Sequence, residues 1–75
     1  MKSLSMNLSV FEATQKFPEL VGIIEGWGFP QIRNSHLRRT IGSQYTLNEA
    51  IRKLGLNRSK VIESLKKNGF EIIER

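Results

Sequence analysis

The chain has 75 residues, 39% of them hydrophobic, and carries a net charge of +5 with an isoelectric point near 10.1. A chain of this length buries about 60% of its unfolded surface, enough for a single domain over residues 1–75 with a small core and too little for a deep catalytic cleft. Cysteine and aspartate are absent and His36 is the only histidine, which excludes disulfides, thiolate metal sites, iron-sulfur ligation and a cysteine nucleophile. No glutamate pair lies close to His36 in sequence, so neither a metal nor any other cofactor is expected.

The N-terminal stretch MKSLSMNLSV alternates polar with apolar side chains. That pattern predicts a short strand within LSMNLSV and lacks the continuous apolar run of a signal peptide. No segment approaches membrane-spanning length, so a soluble cytoplasmic protein without a membrane contact is expected.

Three segments repeat the i, i+3, i+4, i+7 spacing of an amphipathic helix. The first runs through Val10, Ala13, Thr14 and Phe17, with Ser9 and Glu12 placed as a capping box. Pro18 disfavours helical geometry at Phe17 and ends it, then suits the first turn of the second helix, whose stripe is Leu20, Ile23, Ile24 and Trp27. That helix closes in IIEGWGF, where glycine followed by phenylalanine predicts a cap with a left-handed turn and Phe29 folded back on Ile24. Trp27 is then either a core or cap residue on its stripe, or an exposed anchor for a partner.

Between Pro30 and Tyr45 the sequence IRNSHLRRTIG predicts one short helix over about residues 35–41, stopped by Gly42. The next begins with TLNE, a second capping box of Thr46 and Glu49, carries Leu47, Ala50, Ile51 and Leu54, and ends at Gly55. Asn57 caps a last helix with Val61, Ile62 and Leu65 inward and Lys60, Ser64 and Lys67 outward. LKKNGF repeats the glycine-phenylalanine cap, and FEIIER alternates as a second strand able to pair with the first. The expected fold is all-α: an orthogonal array of four or five short helices, with room for a small two-stranded pairing of the termini.

Laid end to end, SVFEATQKFPELVGIIEGWGF, LRRTIGSQYTLNEAIRKLGLN and VIESLKKNGFEII resemble a family of small bacterial helical domains of unknown function. These domains occur alone or at the N-terminus of larger proteins, among them hemerythrin-like, PAS-containing and iron-sulfur repair proteins. The resemblance covers roughly residues 8–73 and is carried by PEL, the GF after the second helix, RRTIG with its capped helix, and the closing NGFEII. It implies the helical fold and a loose association with redox and iron proteins. Some relatives carry a C-x-x-C pair after the second helix; here the matching positions, about Gln31 and Asn34, hold no thiol.

Residues 33–67 hold nine lysines and arginines against Glu49 and Glu63, a local charge of +7. This permits an acidic partner without choosing its class. The first functional reading is a non-enzymatic protein-interaction or regulatory module that binds a partner protein or a second copy. Its expected contact surface is the loop and short helix from Trp27 to Arg39, where Ile32, His36, Arg38 and Arg39 sit outside the regular stripes. The alternative is a helix-turn-helix-like nucleic-acid-binding domain, with Gly55 at the turn and Asn57, Arg58 and Lys60 facing the groove. Ile51, at a position where a tight helix-turn-helix wants a small residue, weighs against it. An enzyme is not expected, because Ser35 and His36 point about 100° apart on a helix and cannot act as nucleophile and base together.

Overall fold

The computed structural model describes residues 2–73. In chain order it has strand β1 (Lys2–Ser5), helices α1 (Val10–Lys16) and α2 (Leu20–Gly26), a single 3-10 turn over Pro30–Arg33, helices α3 (Ser35–Thr40), α4 (Leu47–Lys53) and α5 (Arg58–Lys67), and strand β2 (Phe70–Ile73). The two strands pair in parallel, Lys2 opposite Phe70 through Ser5 opposite Ile73. The molecule is therefore mostly helical, with the expected small two-stranded pairing present as a parallel sheet, so it is not purely all-α. Past Ser5 the Met6 amide still donates to the Ile73 carbonyl at 3.3 Å, and the chain then turns, with the Leu8 amide donating to the Ser5 carbonyl at 3.3 Å and the Asn7 amide to Ser5 Oγ at 3.2 Å.

Helices α1, α3, α4 and α5 each begin at a capping side chain. The amide of Glu12 donates to Ser9 Oγ at 3.0 Å, and those of His36 and Leu37 to Asn34 Oδ1 at 2.9 and 3.1 Å. Asn57 Oδ1 accepts from the Lys60 amide at 3.2 Å. At α4 the capping box is complete, with the Glu49 amide donating to Thr46 Oγ1 at 3.1 Å and the Thr46 amide to Glu49 Oε1 at 2.9 Å. Helix α2 starts two residues after Pro18, and the i to i−3 bonds from Leu20 to Phe17 and from Val21 to Pro18 make the proline part of a tight first turn. The left-handed glycines Gly28 (φ 101°), Gly55 (φ 69°) and Gly69 (φ 89°) end α2, α4 and α5. Both Schellman bonds are seen at Gly55, from its own amide to Arg52 and from Leu56 to Ile51.

The predicted stripes supply most of the core. Val10, Ala13, Leu20, Ile24, Leu47, Ala50, Ile51, Val61 and Leu65 are buried, together with Leu4 and Met6 near the N-terminus and Phe70 on β2. Thr14 is buried among them at no polar cost, since its hydroxyl donates to the Phe11 carbonyl at 2.9 Å. Phe17 meets Phe70 edge-on at 5.2 Å, so the end of α1 seats the second strand.

The α4 cap makes stability depend on pH. Hydrogen bonding of the Glu49 carboxylate to the Thr46 backbone, then to its side chain, lowers its pKa below the ordinary 4.5. The Lys2 ammonium does the same for Glu19 and the Arg33 guanidinium for Glu25. A depressed carboxylate pKa contributes stability above the unfolded value, and that contribution is lost as pH falls through the folded one. The thermal midpoint is therefore expected to drop as pH is lowered from about 5 to about 3. Thr46→Ala should cost about 1 kcal/mol at neutral pH and flatten part of that slope; an unchanged slope would remove the cap from its causes.

Candidate functional site

An open cleft of about 320 Å³ lies where the segment after α2, the segment after α3 and the outer side of α4 converge. Gly28, Phe29 and Gln31 form one wall, Ile41 and Tyr45 another, and Ala50, Lys53 and Leu54 the third. Sequence places these three groups well apart, and the fold joins them through specific bonds. Gly28 in its left-handed turn reverses the chain after α2. The 3-10 turn that follows is pinned from below by Ile32, which is fully buried, and from the side by Arg38 Nη1 donating to the Ile32 carbonyl at 3.0 Å. The Arg33 side chain pairs with Glu25 on α2 and holds the far end of the same turn. This ion pair raises the Arg33 pKa and lowers that of Glu25, through the hydrogen bond first and charge attraction second.

Tyr45 is fixed by its backbone, whose carbonyl accepts from the Val10 amide at 2.8 Å, next to an antiparallel bridge between Ser9 and Thr46. Its ring lies under the Lys53 ammonium, 5.5 Å from the ring centre. Phe29 and Tyr45 are half-buried and pack on the core; Ile41 and Leu54 are also half-buried but belong neither to the core nor to the side chains packed on it. The cleft thus presents aromatic and aliphatic surface with one cation at its rim. Among the described residues no carboxylate lines it.

The residues expected to meet a partner are scattered by the fold. His36 and Arg39 are exposed on α3, whereas Trp27 is half-buried against the core. Ile32 has no exposed surface, which corrects its placement on a contact face: it closes the core beneath the 3-10 turn. Arg38 is half-buried and occupied by the Ile32 carbonyl. On the nucleic-acid side, Asn57 is engaged as the α5 cap, and Arg58 Nε donates to Asn48 Oδ1 at 3.1 Å. Lys60 is exposed. Ser35 and His36 are adjacent and exposed in the first turn of α3.

Sequence reasoning missed Ile41, Tyr45, Lys53 and Leu54 as a group. Tyr45 was the available signal, a lone aromatic in a polar link outside any stripe. Gln31 lines the cleft and Asn34 caps α3, so the two positions that the resemblance sets against a cysteine pair lie at the cleft wall and just behind it. Among the described residues no three histidines or carboxylates gather to hold a metal ion, and no helix is long and apolar enough to cross a membrane.

No family model matches the chain, and no curated protein matches it. It is similar to the crystal structure of the conserved domain protein from Streptococcus pneumoniae TIGR4. The two superpose with a TM-score of 0.92 at 27% sequence identity, over 100% of this chain and 95% of that one.

Proposed function

We propose that this domain is a non-enzymatic protein-interaction or regulatory module of the bacterial cytoplasm, and that its contact surface is the cleft between the 3-10 turn and α4. The observation that supports this reading is the pair of half-exposed aliphatic side chains, Ile41 and Leu54, that line an open cleft without serving the core. Apolar surface kept out of the core in a small domain is what a binding site requires. Kinship with the small bacterial domains that occur fused to redox and iron proteins belongs to the same proposal, because a module that recurs beside other domains fits an interaction role. His36 and Arg39 would flank the contact; Trp27 and Arg38 would hold the scaffold.

A display selection of random peptides against the wild-type domain and against Leu54→Glu tests it. Enrichment on the wild type that disappears on the variant, with circular dichroism unchanged, is the expected result. Enrichment that survives Leu54→Glu would move the contact surface elsewhere, and none on either protein would remove the interaction reading.

The helix-turn-helix alternative retains one supporting feature, a shallow depression between α5 and β2 lined by Arg58, Ser59, Ile62, Lys66 and Ile72. Against it, Asn57 is engaged as a cap and Ile51 fills the core at the position that should be small. Salt-sensitive binding of mixed-sequence duplex DNA that persists at about 150 mM salt would favour this alternative.

A further inference from the structure

Building on the interaction reading above, we infer that the cleft takes an acidic peptide segment: one large apolar side chain seated between Phe29, Tyr45 and Leu54, with a carboxylate beside it on Lys53. Size sets the first half. A volume of about 320 Å³ sits at the lower end of ligand pockets, which run from about 300 to about 1,000 Å³, and admits one or two side chains rather than a folded surface. The two rings on its walls favour an aromatic or leucine anchor.

Charge sets the second half. Lys53 is exposed at the rim, and among the described residues it pairs with no carboxylate; its ammonium lies over the Tyr45 ring. Glu49, one helical turn before it on α4, is committed to the cap of that helix. The segment 33–67 around it carries +7. An incoming carboxylate would therefore meet a cation with no internal competitor, while a basic segment would be repelled. A second copy of the chain is the poorer occupant on the same ground, since two molecules of charge +5 oppose each other.

Three capped eight-residue peptides titrated into the ¹⁵N-labelled full chain decide the matter: a Leu-Phe centre flanked by glutamates, the same centre flanked by lysines, and glutamates flanking Ser-Gly. The expected result is that the acidic Leu-Phe peptide alone moves the amide resonances of Phe29, Tyr45 and Leu54. Its affinity should fall about threefold in Lys53→Gln, the scale of one exposed charge pair, and again on raising salt from about 50 to about 300 mM. Equal binding of the acidic and basic Leu-Phe peptides, or an unchanged affinity in Lys53→Gln, would overturn the acidic preference and leave the cleft as an interaction site. Resonances that move with protein concentration alone would assign the cleft to a second copy. Silence with all three peptides overturns this inference; the interaction reading falls with it only if the display selection is also flat.

Discussion

Gly42→Ala is expected to destabilise the domain by about 3 kcal/mol, while Gly22→Ala stabilises it by up to about 1 kcal/mol. Gly42 is buried and does not have the left-handed backbone of Gly28, Gly55 and Gly69, so conformational freedom is not what requires it. Proximity is. A methyl group added at Gly42 would fall well inside van der Waals contact with the Arg38 carbonyl and would lie 3.1 Å from the Phe11 amide. Both neighbours are backbone. The Phe11 amide also donates to the Gly42 carbonyl at 3.1 Å, so moving the turn away from the clash breaks the bond that ties α1 to the end of α3.

At Gly22 the same methyl meets nothing within 4 Å. There it only removes backbone freedom from the unfolded chain in an exposed position of α2. Total stability for 75 residues is about 4 to 11 kcal/mol, so the Gly42 change removes a large share of it. Urea unfolding of the two variants reads both numbers, and opposite signs are the expectation. A Gly42→Ala within about 1 kcal/mol of wild type would mean that the turn after α3 relaxes outward without loss.

What could be read from the residues was what is local. Ser9, Asn34, Thr46 and Asn57 each cap a helix through a side chain two or three positions from its target, so their spacing along the chain already contains the geometry. The stripes through Leu20 and Ile24, or Leu47 and Ile51, follow from one helical period in the same way. The parallel pairing of β1 with β2 joins residues 68 apart in sequence, Lys2 to Phe70, and no local pattern encodes whether such strands run parallel. Leu4 and Met6 showed the correct alternation, yet the paired stretch starts at Lys2, two residues before LSMNLSV.

The cleft was harder still. Each of its walls holds residues that have another local explanation: Phe29 as the residue after a capping glycine, Ala50 and Leu54 as the α4 stripe, Ile41 as the end of α3. Their common function exists only once Gly28, the 3-10 turn and the Ser9–Thr46 bridge bring three segments together.

Ile32→Ala should cost about 2 to 4 kcal/mol, which is opposite to the effect expected of a surface contact. Four residues of 3-10 turn show no period against which a buried position stands out, so Ile32, lying between glutamine and arginine, resembles an exposed hydrophobe. In the fold it has 0% exposure and anchors the 3-10 turn that follows Phe29 and carries Gln31 to the cleft wall. Truncation leaves a void under that turn and weakens the backdrop of the Arg38 bond to its carbonyl. Two effects should therefore appear together, a lower urea midpoint and a loss of peptide binding that tracks the loss of fold. Leu54→Glu, outside the core, should separate them by losing the peptide at nearly unchanged stability. If Ile32→Ala instead kept its midpoint within about 0.5 kcal/mol of wild type and lost only the peptide, the side chain would belong to the contact surface, and the wall of the cleft would have to be redrawn around it.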